Sequence, residues 1–250
     1  MNDSGWRRRN LETLQTFDRL AVGSVETARL IEHEGLVAMV SPAVPERSVF
    51  NNVVYTEPEA LARNREELAA IYASEGCAWT VWVPEEDRES AALLESAGHR
   101  LDAEPRAMGM DLAEVESPDL SAVDWSVGRQ AELMCTINDR AYGYPDGTWR
   151  RGVGTELAES LVYLANDDGE ALSTVLTFDS GEDCGVFCVA TLPEARGKGL
   201  ATALLRQALV DARERGQRTT TLQATKAGAP IYGRIGYRDF GALQMWEWRE

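Results

Sequence analysis

A chain of 250 residues in which 44% are hydrophobic and 26% charged has the composition of an ordinary soluble globular protein. Its formal net charge of -16 would repel a polyphosphate backbone, so we expect no nucleic-acid partner, and it would attract a cationic substrate. The sequence has no apolar run near the roughly 18 residues that span a bilayer, and no secretory signal at its start. We therefore expect a cytoplasmic protein without a membrane segment and with reduced cysteines.

The first half of the chain alternates helical and extended patterns. Apolar residues recur every three positions between Leu11 and Leu20 and predict an amphipathic helix. A second helix is predicted to begin at Pro58 and end at Gly76, and a shorter one to end at Gly98, because Pro favours the first turn of a helix and Gly the residue after its last turn. Strands are predicted for LVAMVSP, SVFNNVVYT, AWTVWV and HRLDAEPRAMGMDL.

A polar stretch that contains a proline, ESPDLSA, follows the first half and predicts a domain boundary near residue 118. The second half then repeats the order of the elements. Its predicted helices are GRQAELMCTINDRAYG, LATALLRQALVDARERG and GAPIYGRIGY, and its predicted strands are SLVYLA, EALSTVLTF, CGVFCVAT, TTTLQAT and FGALQMWEWRE.

Three local matches indicate that the two halves arose by duplication. TEPEA at residues 56–60 corresponds to TLPEA at residues 191–195. The long helix and the short helix each end at a glycine in both halves, at Gly76 and Gly216 and at Gly98 and Gly236. The first half is shorter than the second at the place where the second half carries RGKGLA, so the first half is predicted to be a degenerate copy.

The segment RGKGLA, residues 196–201, lies between a predicted strand and a long helix and is suited to bind a phosphate group. Gly197 and Gly199 permit positive φ angles and close backbone approach, so successive N–H groups can turn toward an anion. The helix that follows adds free N–H groups and the positive end of its dipole. A Walker loop is excluded because Leu192 and Gly199 break its pattern, and a dinucleotide fingerprint is excluded by Thr202.

The strand VATL, the loop PEARGKGLA and the amphipathic helix after them resemble the acyl-CoA motif of the GNAT superfamily of acetyl-CoA-dependent N-acetyltransferases. The resemblance covers about residues 120–250. It implies an α/β fold with a mixed sheet and two tandem GNAT-like acyl-CoA N-acyltransferase domains, a degenerate one of residues 1–117 and a catalytic one of residues 118–250. It also implies direct transfer of an acetyl group from acetyl-CoA, the cosubstrate, to a primary amine of a small molecule or peptide. We expect no metal ion, and a monomer or a homodimer.

The resemblance assigns the cofactor contacts to the loop and to the strand before it. Backbone groups around Val189 and Thr191 would pair with the pantetheine arm, between two strands that splay apart in this superfamily. Many relatives carry Asn after the next strand, where this chain has Thr225, which can also form a hydrogen bond. The pyrophosphate would be held by the backbone of Arg196, Gly197, Lys198, Gly199, Leu200, Ala201 and Thr202.

Tyr232 matches the position of the general-acid tyrosine of the superfamily, three residues before Ile235-Gly236-Tyr237. A thiol with a pKa of about 8.5 leaves more readily when a phenol with a pKa of about 10 donates a proton to it. Packing of Tyr232 in the core is the alternative interpretation, and Tyr237 is expected to be a packing residue. The strand CGVFCVAT carries no evident glutamate that could act as a base, so the route of the amine proton stays open.

The segment NDRAYGYPDGTW lies where GNAT enzymes often bind the acceptor. The walls of an acceptor pocket are assigned to Tyr142, Tyr144 and Trp149, and the carboxylate for a cationic amine to Asp139 or Asp146. An aromatic-rich loop that only covers the core is the alternative.

The cysteines and histidines are expected to be structural. Cys184 and Cys188 are four residues apart and are predicted to share one strand face as packing groups. His33 and His99 both fall in the first half and are predicted to be surface or structural residues.

Two functions other than catalysis stay open. A non-catalytic acyl-CoA sensor would not need Tyr232. A partner-binding protein would need neither that tyrosine nor the glycine loop. Thiol release from acetyl-CoA in the presence of amines separates an enzyme from a sensor, and binding of CoA separates both from the partner-binding protein.

Overall fold

The computed structural model describes residues 1–249, which form a mixed sheet with helices on both faces. The helices are α1 (Asp3–Val22), α2 (Pro58–Glu75), α3 (Arg88–Ser96), α4 (Ala131–Tyr142), α5 (Thr148–Val153), α6 (Leu200–Glu214) and α7 (Ala229–Ile235). The strands are β1 (Arg29–His33), β2 (Leu36–Val40), β3 (Asn52–Tyr55), β4 (Trp79–Pro84), β5 (Arg100–Ala103), β6 (Arg106–Asp111), β7 (Asp124–Gly128), β8 (Ser160–Asp167), β9 (Glu170–Ser180), β10 (Asp183–Thr191), β11 (Thr219–Ala224) and β12 (Arg238–Trp248). None of the helices described over these residues is both long and apolar enough to cross a membrane.

The predicted α/β fold with a mixed sheet is confirmed. The strand order is β1-β2-β3-β4-β12-β6-β11-β10-β9-β8-β7, and β5 pairs with β12 outside this path. The pairs β3–β4 and β10–β11 are parallel, and the other pairs are antiparallel. Each parallel pair is joined through a long helix, α2 or α6, which is the crossover that parallel neighbours require.

The core is built on both faces of the sheet. Along β8, Tyr163 and Ala165 are buried in the cluster that contains α6, whereas Val162 and Leu164 are buried in the cluster that contains α4. Successive side chains of a strand point to opposite faces, so a strand covered on both sides reads as a continuous apolar run. This explains why SLVYLA could be recognised as a strand.

The two halves exchange their last strands. The strand β6 of the first half lies between β11 and β12 of the second half and pairs with β11 along its whole length. The second part of β12, residues 243–248, pairs with β4 of the first half. HRLDAEPRAMGMDL was expected to be one extended segment, but it divides into β5 and β6 around Pro105. The boundary near residue 118 stays a prediction, and the hydrogen bonds of the sheet cross it.

Helix α1 also joins the halves. It begins before the predicted helix, because the side chain of Asn2 caps it by accepting a hydrogen bond from the Gly5 N–H at 2.9 Å. Its buried face meets strands of both halves, among them β2 and β3 of the first and β10 and β11 of the second. Gln15 donates to the Val54 carbonyl at 3.1 Å, and Thr13 donates to Asp183 at 3.1 Å. Helix α1 therefore connects the two halves through hydrogen bonds as well as through apolar packing.

The sequence patterns missed several short elements. The strands β1 and β7 lie at the two ends of the sheet, where half-exposed residues weaken the alternation of apolar and polar side chains. SVFNNVVYT was expected to be a strand throughout, but Ser48–Phe50 forms a short 3-10 helix and only the following residues form β3. Helix α5 was also missed, because it is only six residues long and follows a turn-rich segment.

Candidate active site

The sheet opens between β10 and β11. These strands pair only at Asp183–Gly185 with Thr219–Thr221, although both continue beyond this point. Within β10 the register to β9 shifts between Phe187 and Ala190, and Cys188 has a φ of 50°. Such a bulge leaves a residue outside the ladder and bends the strand away from its neighbour. The splay that the GNAT resemblance implied is therefore present, in the middle of the sheet.

The bulge overturns the prediction that Cys184 and Cys188 share a strand face. Cys184 is buried in the cluster on the α6 side, whereas Cys188 packs against the cluster on the α4 side. The extra residue in β10 changes the alternation of side chains between the two positions. Burial raises the pKa of both thiols, so both stay protonated at neutral pH, as packing groups do.

The glycine loop has the backbone geometry expected of an anion site. Gly197 and Gly199 have φ angles of 79° and 77°. Among residues 1–249, apart from the chain neighbours of each glycine, no heavy atom lies within 4 Å of the place where a Cβ would stand. Gly199 immediately precedes α6, whose first turn has no side-chain cap. The N–H groups at this end of the helix therefore have no side-chain partner and are available to an anion.

A cavity of about 600 Å³, here called the loop cavity, lies beside this loop. Among the predicted cofactor residues, it is lined by Val189, Thr191, Arg196, Gly197, Gly199, Leu200, Ala201, Thr202 and Thr225. Lys198 is exposed and is not among the lining residues. The Arg196 side chain donates to the carbonyls of Thr191 at 3.2 Å and Ala141 at 2.9 Å, so it braces the loop against the end of α4.

A second cavity of about 720 Å³, here called the central cavity, lies between residues of the two halves. Four residues line both cavities, namely Tyr142, Val189, Thr225 and Tyr232. The two cavities therefore meet at the opening of the sheet. A molecule in the loop cavity and a molecule in the central cavity can approach each other at these four residues.

Tyr232 lies on α7 at this junction and is half-buried. Burial, with a smaller contribution from Tyr142, raises the pKa of Tyr232 well above its ordinary value, so the phenol is protonated and can donate a proton at neutral pH. Its ring packs edge-on against Tyr237 at 5.9 Å between centroids. Tyr237 is buried and its hydroxyl lies 2.9 Å from that of Thr220, in keeping with a packing role.

Thr225 has a structural contact in addition to its place at the junction. Its Oγ1 accepts a hydrogen bond from the Gly228 N–H at 3.1 Å, just before α7 begins. The hydroxyl proton of Thr225 is still available for a second partner, because an alcohol can accept and donate at once.

The structure brings three of the predicted acceptor residues to the central cavity. Tyr142, Tyr144 and Trp149 line it, and the Tyr142 hydroxyl donates to the Val189 carbonyl at 3.1 Å. Asp139 accepts hydrogen bonds from the backbone N–H groups of Gly147 at 2.8 Å and Trp149 at 3.0 Å, and so positions the start of α5. Asp146 is exposed and is not among the residues that line the two cavities.

The sequence patterns missed the contribution of the first half to the central cavity. Asp18 and Asn52 line it, together with Phe17, which stacks on Phe187 at 4.4 Å between centroids. A signal was present, because Asp18 follows Leu14 by four residues and therefore lies on the buried face of α1. A carboxylate on an apolar helix face is rare unless it is paired or functional.

The histidines lie away from both cavities. His99 is buried with its ring edge-on to Trp79 at 4.6 Å, and burial lowers the pKa of His99 to about 4. His33 lies 3.7 Å from the carboxylate of Glu67 near the surface. Neither histidine is among the residues that line the two cavities.

One segment of the chain matches a known protein family. Residues 184–239, which contain the bulged strand, the glycine loop, α6 and Tyr232, match the family model described as an acetyltransferase (GNAT) domain. The GNAT superfamily predicted from the sequence is therefore confirmed for this segment of the chain, which contains the glycine loop and Tyr232.

Solved structures share this fold over most of the chain. A GCN5-related N-acetyltransferase from Kribbella flavida is 20% identical with a TM-score of 0.68, and the match covers 92% of this chain and 91% of that one. A GCN5-related N-acetyltransferase from Sphaerobacter thermophilus is 18% identical with a TM-score of 0.59, covering 86% and 80%. A tandem GNAT protein from the clavulanic acid biosynthesis pathway is 13% identical with a TM-score of 0.58, covering 96% of each chain. No curated protein sequence matches the chain.

Proposed function

We propose that the protein transfers an acetyl group from acetyl-CoA directly to a primary amine of a small molecule or peptide. The observation that carries this proposal is the junction of the two cavities at the opening between β10 and β11, with the protonated Tyr232 beside it. One cavity has an anion-binding loop, and the other has a wall that includes three carboxylates, those of Asp18, Asp102 and Glu104. This pairing supports a cofactor with phosphates on one side and a cationic acceptor on the other.

The loop cavity fits the phosphates of acetyl-CoA. The positive φ angles of Gly197 and Gly199, the open space over both residues and the uncapped first turn of α6 leave room for an anion close to the backbone. The carbonyls of Val189 and Thr191 already accept hydrogen bonds from Tyr142 and Arg196. Each carbonyl oxygen has a second lone pair, so the pantetheine arm can still bind along this edge.

The chemistry at the junction follows from the groups there. Acetyl-CoA supplies an activated carbonyl carbon, to which the amine nitrogen bonds as the carbon–sulfur bond breaks. The Tyr232 hydroxyl donates a proton to the departing sulfur, the amine loses its proton to water in the central cavity, and the Tyr232 oxygen then regains a proton from water. The raised pKa of Tyr232 keeps its proton available throughout the neutral range.

The test of this function is thiol release from acetyl-CoA across a panel of primary amines. An enzyme releases thiol in proportion to the acetylated amine. A protein that binds CoA in calorimetry but releases no thiol with any amine is a sensor, and the proposal of catalysis then fails. A protein that binds no CoA at all leaves the glycine loop without the proposed ligand.

Replacing Thr202 with glutamate is expected to weaken CoA binding by about 10-fold or more. Thr202 lines the loop cavity in the first turn of α6, where a carboxylate stabilises the helix but repels the pyrophosphate. The melting temperature should therefore hold or rise slightly while the affinity falls. Calorimetric titration with CoA measures the affinity.

The matched control for Thr202→Glu is Thr136→Glu, which makes the same change on an exposed residue of α4. We expect the control to bind CoA within about twofold of the original chain, because exposed charges are screened by salt. Equal affinities of the two variants would place the pyrophosphate away from the first turn of α6.

A further inference from the structure

The central cavity has polar atoms in its wall that lack a hydrogen-bond partner. Among residues 1–249, the buried side-chain atoms without a partner include Oδ2 of Asp18, Oδ1 of Asn52, Oδ1 of Asn138 and Nε1 of Trp149. Each of these four residues lines the central cavity. Buried polar groups without partners are rare in folded proteins, so a molecule that enters the cavity, water or a ligand, completes their hydrogen bonds.

The two asparagine oxygens cannot be exchanged for nitrogens by turning the amide groups. The Asn52 Nδ2 donates to Asp18 Oδ1 at 3.1 Å and to the Val49 carbonyl at 3.2 Å. The Asn138 Nδ2 donates to the carbonyls of Met134 at 2.9 Å and Cys188 at 3.3 Å. Because all four recipients are acceptors, both amide nitrogens must face them. The group that completes Asn52, Asn138 and the ionised form of Asp18 must therefore be a hydrogen-bond donor.

A cation is the donor that pairs best with the ionised form of Asp18. Burial raises the pKa of Asp18 to about 7, and the Asn52 hydrogen bond and the Arg19 charge offset the burial only in part. On α2 the Tyr72 hydroxyl lies near Asp18, but its bonds are to the carbonyls of Met39 and Asn52. The other charged residues in the wall of the cavity are exposed, namely Asp102, Glu104 and Lys226. A buried carboxylate in this setting is stabilised in its ionised form by a bound cation.

The other residues that line the central cavity indicate what the rest of the ligand is made of. They are predominantly apolar and aromatic, with Phe17, Phe50, Trp82, Phe187, Leu222 and Met245 among them. Aromatic faces also attract cations. The cavity therefore suits an organic amine with an apolar body.

The position of Asp18 separates the bound cation from the reacting amine. Tyr232 and Val189 line both cavities, whereas Asp18 lines the central cavity alone. We therefore assign the ammonium at Asp18 and the amine that reacts at the junction to two different nitrogens.

We propose that Asp18, Asn52 and Asn138 bind an ammonium group of the acceptor other than the amine that is acetylated. The acceptor class is then a diamine in which an apolar segment separates the two nitrogens. This inference rests on the proposed acetyl transfer and deepens it, since it gives the first half of the chain, through Asp18 and Asn52, a part in choosing the acceptor.

The experiment compares linear diamines of increasing length, such as hexamethylenediamine, with the monoamine of the same chain length. The original chain is expected to prefer the best diamine in kcat/KM by about 10-fold or more, since a hydrogen bond to a charged group contributes this much discrimination. In Asp18→Asn the preference is expected to fall to about threefold or less. The readout is the ratio of the diamine reaction to the monoamine reaction in each protein, so a general loss of activity in the variant does not affect the comparison.

Thermal stability distinguishes this role from a structural one. The pKa of Asp18 is raised from 3.8 to about 7 in the folded protein. The folded protein therefore loses stability as the pH rises through this range and Asp18 ionises. The neutral variant Asp18→Asn avoids that cost and should melt at a higher temperature than the original chain at pH about 8, but not at pH about 4. A lower melting temperature at pH about 8, with the diamine preference intact, would make Asp18 a structural residue and overturn the proposal.

The control and the binding measurement separate the two proposals. Asp124→Asn removes the same charge from an exposed position on β7 and should keep the full diamine preference. Calorimetry with hexamethylenediamine alone, without acetyl-CoA, is expected to show binding to the original chain and at least 10-fold weaker binding to Asp18→Asn. Binding of this pattern without thiol release from any amine would overturn the acetyl transfer and leave the ammonium site standing. Thiol release that is equal for diamines and monoamines, and unchanged in Asp18→Asn, would overturn the ammonium site and leave the acetyl transfer standing.

Discussion

Replacing Tyr232 with phenylalanine is expected to lower kcat for acetyl transfer by about 100-fold while CoA affinity stays within about threefold. The substitution keeps the ring at the junction of the two cavities and removes only the hydroxyl. The departing sulfur then has no positioned proton donor and must leave as a thiolate. Steady-state kinetics with a good acceptor measure kcat, and calorimetry with CoA measures the affinity.

The structure indicates that Tyr232→Phe should lower kcat without lowering the stability of the fold. Within residues 1–249 the Tyr232 hydroxyl has no hydrogen bond to the protein, so its loss removes no native contact of that kind. The pKa of Tyr232, raised mainly by burial, lies well above its ordinary value, so the phenol keeps its proton across the neutral and mildly alkaline range. The rate defect of the phenylalanine variant should therefore be constant between pH about 6 and about 9.

The control is Tyr237→Phe, which removes a neighbouring buried phenol that lines neither cavity. Its hydroxyl lies within hydrogen-bond distance of Thr220, so the variant should lose about 1 kcal/mol of stability and keep kcat within about threefold. Wild-type rates in Tyr232→Phe would remove the general-acid assignment. A large rate loss in both variants would indicate that packing of the two rings, rather than the Tyr232 proton, sets the rate.

The part of the site that lies in the second half of the chain could be predicted from the sequence, because it depends on local structure. The positive φ angles of Gly197 and Gly199 and the start of α6 depend on neighbouring residues only, so the glycines could be interpreted without knowledge of the rest of the fold. The corner that contains Tyr232 ends at Gly236 with a φ of 124°, and the equivalent corner of the first half has Gly98 with a φ of 91°. Leu94 stands in that first corner and is fully buried, whereas Tyr232 faces two cavities. Both halves therefore have this corner, but only the second half has a tyrosine in it.

The pairing of strands that are distant in the sequence could not be predicted in the same way. Nothing within HRLDAEPRAMGMDL states that its second strand inserts between β11 and β12, because any extended apolar segment can pair with any exposed sheet edge. The bulge at Cys188 is likewise a property of the pairing with β9 rather than of the residues in β10. Asp18 was missed for a related reason, since its partner Asn52 and the cavity beside it come from other elements.

A chain cut to residues 118–250 is expected to lose cooperative folding, although it contains the whole glycine loop and Tyr232. Removal of β6 takes away the strand that lies between β11 and β12 and leaves two sheet edges unpaired. It also removes Met108 and Met110 from the core cluster that packs beneath α6. Loss of one such buried side chain costs about 2–5 kcal/mol, and a whole domain is stable by only about 5–15 kcal/mol.

The informative comparison is a fragment of residues 104–250, which keeps β6 but lacks α1 to β5. If the exchanged strand is what the second half needs, this longer fragment should show a sharper thermal transition and more slowly exchanging amides in β11 than residues 118–250. Both fragments should melt below the full chain, because β12 loses its pairing with β4 and the face covered by α1 becomes exposed. Circular dichroism melting and hydrogen exchange measure these differences. If residues 118–250 melted cooperatively at the temperature of the full chain, the halves would be independent domains and the exchanged strands would contribute little to stability.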